Sequence, residues 1–155
     1  MPETINKNFT HLKIHSQYSI CEGAIKLDDL KDYSKEHKIK ALGLSDTSNL
    51  CGALEFAEKM SKIGTQPIIG TQINFKYGDT TGLLPLYALN EDGYKRIIEL
   101  SSLSYLTNDE LSEPHLDFEE LLNKSNGVSL FSGSIFGLFG QLFDKGKSND
   151  IFELY

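Results

Sequence analysis

The run Ala41–Ser45, ALGLS, restricts the fold more than any other segment. Apolar at most positions and closed by Asp46, it predicts a strand buried on both faces, the environment of a parallel sheet. Parallel strands need crossovers, and the flanking sequence offers two helix-like segments. In Leu27–Lys38, the residues Leu27, Leu30, Tyr33 and Ser34 fall on one helical side. In Cys51–Ile63, an apolar stripe of Leu54, Phe56 and Ala57 opposes a wet face of Glu55 and Glu58, with Gly64 as C-terminal cap. Strand-like runs flank these helices at Phe9–Ile14 and from Pro67 through PIIGTQINF.

Beyond a turn at Tyr77–Gly82, Leu83–Leu89 predicts another strand. Asn90, followed by Glu91 and Asp92, caps a helix reaching about Tyr105, in which Tyr94, Ile97, Ile98, Leu100 and Ser101 show helical spacing. The polar stretch TNDELSEP breaks it. Asp117, with Glu120 three residues later, resembles a capping box for a further helix, and Gly127–Ser132 is strand-like. The glycine-rich SGSIFGLFG is mis-spaced for a phosphate loop and predicts a tight strand-to-helix turn packed by Phe136, Leu138 and Phe139. The predicted class is therefore α/β with a mostly parallel sheet. In such a sheet His15, Asp46, Gln72 and Ser132–Ser134 gather on the rim of strand C-termini. The tail GKSNDIFELY reads as the start of a helix that then stops, as in an architecture not completed here.

With 155 residues, the chain suits one domain spanning 1–155. It has 15 Lys and Arg against 22 Asp and Glu, a formal net charge of −7, and so lacks the basic footprint that direct DNA binding requires. The N-terminus is polar and no stretch is apolar enough to span a membrane, which predicts a cytoplasmic setting without membrane contact. Cys21 and Cys51 show neither CxxC pairing nor a disulfide framework and are expected as small, reduced, half-buried fillers.

Chemistry is concentrated in FTHLKIHSQYSICEG. Strand periodicity puts His11, Lys13 and His15 on one face, close to the acidic Glu22. Three histidines so arranged would suit a metal, but Lys13 occupies the middle, and an ammonium has no lone pair to give. The residues also have plainer readings. His15 can hydrogen-bond the Ser16–Ser19 turn, Asp46 can accept backbone N–H bonds in its own loop SDTSN, and His37 and His115 suit helix-edge surface positions.

In order and spacing, HLKIHSQYSICEG, LGLSDTSNLCGALEFAEKM, QPIIGTQINF, ALNEDGY and DFEELLNKSNGVSLFSGS resemble the N-terminal PHP (polymerase and histidinol phosphatase) domain of bacterial DNA polymerase III alpha subunits, over residues 9–140. The resemblance implies a PHP-type distorted (β/α)7 barrel, of which this chain covers only the N-terminal part, with a metal cluster on its C-terminal rim. It also implies that the cluster is degenerate. Lys13 stands where the first His of an HxH is expected, Thr47 replaces the His of a DH pair, Gln72 replaces a Glu, Leu83 a His and Ser134 a Cys. His15, Glu22 and Asp46 survive as vestigial positions, and the last DxH would lie beyond Tyr155.

From this follow the functional expectations. No catalytic residue and no bound metal are expected in the chain, although family members with an intact site hold zinc or other divalent cations and the parent polymerase uses magnesium. Lys13 is expected to neutralise Glu22 or Asp46 as an ion pair in place of the metal. The implied role is structural, with the rest of the alpha chain and the proofreading exonuclease subunit as partners and DNA synthesis left to the parent polypeptide. An uncompleted barrel also predicts self-association of the isolated chain. The alternatives are an active metal-dependent PHP phosphoesterase or 3′–5′ exonuclease, and an α/β binding module unrelated to replication.

Overall fold

The computed structural model describes residues 9–108 and 111–154. The polar segment 1–8 and two acidic residues of the TNDELSEP break lie outside them. The strands are β1 (Ala41–Thr47), β2 (Gln66–Tyr77), β3 (Thr80–Ala88), β4 (Leu116–Asp117) and β5 (Val128–Leu130). The helices are α1 (Leu27–Glu36), α2 (Ala53–Lys62), α3 (Glu91–Leu106), α4 (Phe118–Asn123), α5 (Leu138–Asp144) and α6 (Ser148–Glu153). No helix among the described residues is long and apolar enough to cross a membrane.

The α/β class holds, but the sheet is mixed. Its order is β1-β2-β3-β5, with β4 pairing the far end of β2. β1 and β2 run parallel from Ala41↔Gln66 to Thr47↔Gln72, whereas β2–β3 and β3–β5 are antiparallel. The expectation of a mostly parallel sheet fails at the turn after Tyr77. With Tyr77 paired to Thr80, Gly78 and Asp79 alone connect β2 to β3, far too short for a crossover, and Gly78 takes the positive φ of +58° that a tight hairpin needs. Phe9–Ile14 lies alongside β1, forming one parallel bridge at Ile14↔Leu44, with Gly43 N–H donating to the His11 carbonyl at 2.8 Å. The approach is so close that a Cβ on Gly43 would sit 2.5 Å from the Leu12 carbonyl oxygen.

Two apolar clusters lie against the sheet. Leu42 and Leu44 of β1 pack with Leu27 and Leu30 of α1 and Phe56 and Met60 of α2. Ile73, Phe75, Leu84 and Leu86 pack against α3, α4 and α5 through Ile97, Leu100, Phe118, Leu121 and Leu142. Phe118 meets Phe75 and Phe139 edge-on, at centroid distances of 6.4 and 6.3 Å.

Several side chains depart from expectation. The buried stripe of α2 is Ala53, Phe56 and Met60, spaced i, i+3, i+7, which turns Leu54 out to 71% exposure. Tyr33 is half-exposed at 47% and lies over His37 with ring centroids 4.2 Å apart. Phe136 is exposed while Leu138 and Phe139 are buried, since only the latter two belong to α5. Asp117 holds the N-cap position of α4 with no side-chain cap bond, unlike Asn90, which accepts from Gly93 N–H at 2.9 Å. Cys21 and Cys51 are exposed rather than half-buried because both sit in turns, Cys21 at φ 66°.

Two predictions follow from the packing and from the hairpin tip. Phe56 is fully buried, so Phe56→Ala should lower unfolding free energy by about 3–5 kcal/mol in denaturant titration. Asp79 is paired with Lys147 and bonded by Thr80, with Lys145 nearby, which together hold its carboxyl at about 2. A depressed carboxylate stabilises the fold above its ordinary pKa and loses that contribution as pH falls through its folded value. The melting temperatures of the native chain and Asp79→Asn should therefore differ at pH 5 and converge as the pH falls to about 2.

Candidate functional site

Asp46 ends the buried part of β1 and is only 1% exposed, so its carboxylate requires donors. The turn HSQYS delivers them. Oδ1 accepts from Ser16 N–H at 2.6 Å and Ser19 Oγ at 2.7 Å, and Oδ2 accepts from Ser16 Oγ at 2.7 Å. Both serines are themselves buried, and the turn is closed by Ser19 N–H to the Ser16 carbonyl at 2.9 Å. Asp46 thus binds across thirty residues of chain and not within its own loop, contrary to the local reading.

The next residue outward builds the rim. Thr47 N–H donates to Ser19 Oγ at 3.1 Å, and Thr47 Oγ1 donates to Glu22 Oε2 at 2.5 Å. Register places Thr47 opposite Gln72, whose Nε2 donates to Thr47 Oγ1 at 3.2 Å. His15 sits among them, with Nδ1 at 3.4 Å from Ser19 Oγ and 3.7 Å from Glu22, and Nε2 at 3.4 Å from the Gln72 amide nitrogen. The donor count assigns the tautomer. Ser19 already donates to Asp46, and the Gln72 amide can only donate, so a neutral His15 with its proton on Nδ1 satisfies every partner.

The fold therefore assembles His15, Glu22, Asp46, Thr47 and Gln72 and leaves three other predicted positions apart. Lys13 is exposed and makes no ion pair among the described residues, so the expected substitution of an ion pair for a metal does not occur. The reason is local: Asp46 is buried and held by three bonds from the serines, and Glu22 is turned to Thr47 and His15. Leu83 pairs with Asn74 in the sheet and bridges to Gly137. Ser134 Oγ accepts from Phe136 N–H at 3.2 Å within its own turn.

These residues do not fit a metal cluster. The donors directed at Asp46 are N–H and O–H groups that already occupy its oxygens, and Thr47 and Gln72 contribute neutral groups only. Among the described residues no group of three or more His, Cys, Asp or Glu could hold an ion. What the arrangement does chemically is hydrogen-bond one buried carboxyl group and lock two loops together.

Sequence reading missed the second of these effects. Asn49 Nδ2 donates to the Tyr18 carbonyl at 3.0 Å, and Tyr18 Oη donates to Glu55 at 2.8 Å, a bond that holds the tyrosine hydroxyl above its usual pKa. Glu55 in turn pairs with Lys59 at 2.9 Å, and Lys59 also bonds Asp28 of α1. Ser48 takes a positive φ of 56° between the two loops, its N–H donating to the Gln72 carbonyl at 2.7 Å and its carbonyl accepting from Tyr105 Oη at 2.8 Å. No local signal announces the Asn49–Tyr18, Tyr18–Glu55 and Tyr105–Ser48 bonds, whose partners lie 31 to 57 residues apart.

Relatives carry this segment within much longer chains. DNA polymerase III subunit alpha of Caulobacter vibrioides is 39% identical over 156 residues, which is 96% of this chain and 14% of that protein. The subunit of the same name from Borreliella burgdorferi is 33% identical, covering 95% of this chain and 14% of its own length. A solved amidohydrolase structure from Chromobacterium violaceum aligns with 61% of this chain and 34% of its own at 18% identity and a TM-score of 0.47. The PHP domain family matches residues 11–155, nearly the whole chain, and the protein belongs to that family as a PHP domain homologous to DNA polymerase III alpha subunits.

Proposed function

We propose that this chain is the N-terminal PHP domain of a bacterial, cytoplasmic replicative DNA polymerase alpha subunit, and that its own role is structural. It supports the polymerase core and docks the separate proofreading exonuclease, without holding a metal and without hydrolysing phosphoesters. Nucleotidyl transfer belongs to the parent polypeptide. The observation that carries this reading is the Asp46 carboxylate, whose two oxygens already accept three hydrogen bonds from Ser16 and Ser19 at the place where a cation would need them. The exposed apolar residues Phe131, Ile135 and Phe136 beside β5 suit contact with the rest of the parent chain, or with a second copy when the chain is isolated.

The competing reading is a working PHP phosphoesterase or exonuclease, and two measurements separate them. Metal analysis and calorimetric titration with Zn²⁺ or Mn²⁺ should find no stoichiometric ion, and a primer with a 3′ mismatch should stay intact in either metal. One zinc per chain, lost in Asp46→Ala, would reverse the assignment. Stability supplies the second measurement. Asp46→Ala leaves three donors of a buried turn without an acceptor and should cost about 3 kcal/mol in metal-free buffer. A vacant cation site behaves oppositely, since removing one of several crowded carboxylates relieves repulsion and leaves the metal-free protein as stable or more so.

A further inference from the structure

Three helices of this fold end in the same hydrogen-bonded motif, and one of them breaks its residue rule. After α2, Thr65 N–H bonds the Met60 carbonyl at 3.1 Å and Gly64 N–H bonds Ser61 at 3.1 Å, with Gly64 at φ 79°. After α5, Lys147 N–H bonds Leu142 at 2.9 Å and Gly146 N–H bonds Phe143 at 3.0 Å, with Gly146 at φ 71°. After α1, Ile39 N–H bonds Ser34 at 3.0 Å and Lys38 N–H bonds Lys35 at 3.4 Å, but the left-handed position, φ 52°, is held by Lys38. Glycine is the residue this position favours, because a Cβ is strained there. Backbone strain kept against an available glycine points to a use for the side chain.

The surroundings say what that use is. Lys35, Lys38 and Lys40 are all exposed and take part in no ion pair among the described residues, which is also true of Lys13, Lys26 and Lys76, but only Lys35, Lys38 and Lys40 fall together within one short run, 35–40. Attraction to the negative end of the helix dipole accounts for Lys35, in the last turn of α1, but it fades within that turn and does not reach Lys40. Gln66 N–H bonds the Lys40 carbonyl at 2.8 Å and Thr65 Oγ1 bonds the Ile39 carbonyl at 2.8 Å, so the end of α2 is fixed beside the same segment. The half-exposed Tyr33–His37 ring pair lies in the last turns of α1, and Glu36 is the one acid within the run 35–40. This end of β1 is opposite the end that carries Asp46, about 20 Å away at about 3.3 Å per residue.

We propose that Lys35, Lys38 and Lys40 form a docking surface for an acidic peptide segment of a partner protein. Charge complementarity sets the class of partner: a small cationic patch on a chain of net charge −7 attracts a short, localised run of carboxylates, while a long polyanion such as DNA meets repulsion from everything around the patch. The inference rests on surface chemistry alone and stands apart from the metal-site reading above.

The test uses the full chain, a fluorescein-labelled oligoglutamate peptide and a single-stranded oligo(dT) of equal charge. The peptide should bind at low salt more tightly than the oligonucleotide and be released as salt is raised toward 1 M, where the screening length falls to about 3 Å. Changing Lys35, Lys38 and Lys40 together to Glu should weaken the peptide about tenfold or more. Lys38→Gly separates binding from folding: peptide affinity should fall while the thermal midpoint holds or rises, since the strained position is relieved. Tighter binding of the oligonucleotide, peptide binding indifferent to the triple change, or a lowered midpoint in Lys38→Gly would each overturn the proposal.

Discussion

Burying the Asp46 carboxylate at the end of β1 obliges donors to converge on it, and the N-terminal third of the chain is arranged to meet that obligation. A carboxylate at 1% exposure without partners would be protonated or would unfold the strand end. Ser16 supplies both its N–H and its hydroxyl, which pins the backbone as well as the side chain, and Ser19 relays the effect to Thr47. Phe9–Ile14 makes only one bridge to β1, so these bonds hold the segment where sheet pairing is thin. The loop is then carried to α2 by Tyr18–Glu55 and to α1 by Lys59–Asp28. One desolvated charge thereby organises two loops and two helices.

The substitutions on the rim make sense as a set. Thr47 donates to Glu22 and accepts from Gln72, while Gln72 donates toward His15, so each neutral residue satisfies a neighbour that a cation would otherwise have satisfied. A threonine without the glutamine would leave an acceptor unmet, and a glutamate at position 72 would bring a second carboxylate near Glu22. The lysine at position 13 is not part of this exchange. Exposed and without an ion pair among the described residues, it adds nothing to the network.

How much of this could be read beforehand depends on whether the determining interaction is local. Ala41–Ser45, the Asn90 cap and the Gly64 stop were legible because an apolar run, a side-chain acceptor and a positive φ act within a few residues. The β2–β3 hairpin was not, since the turn at Tyr77–Gly82 was recognised but its two-residue span, which alone dictates antiparallel pairing, appears only once Tyr77 is set against Thr80. Leu54 was misjudged for a related reason: three apolar residues in four positions leave the buried side of a helix open until β1 selects it. The meeting of His15, Glu22 and Asp46 on one rim was legible by type and position. The serines that complete it were not, because their partner lies nearly thirty residues on and a serine announces no preference for it.

The hydrogen bonding at this rim is shared among residues, and it resists conversion to a metal site one residue at a time. Returning an imidazole at position 47 alone would remove the hydroxyl that Glu22 and Gln72 both use, and Asp46 would still be held by Ser16 and Ser19. A cation entering the site would have to displace three hydrogen bonds to a desolvated carboxylate, bonds to charge that are each worth about 1.5–3 kcal/mol. With one imidazole and one half-exposed glutamate as the remaining charged or nitrogen ligands, it has too little to offer in exchange. The hydrogen bonds and a cation thus compete for the same oxygens, and the buried aspartate that a metal centre would need is the one that ties the HSQYS turn to the end of β1.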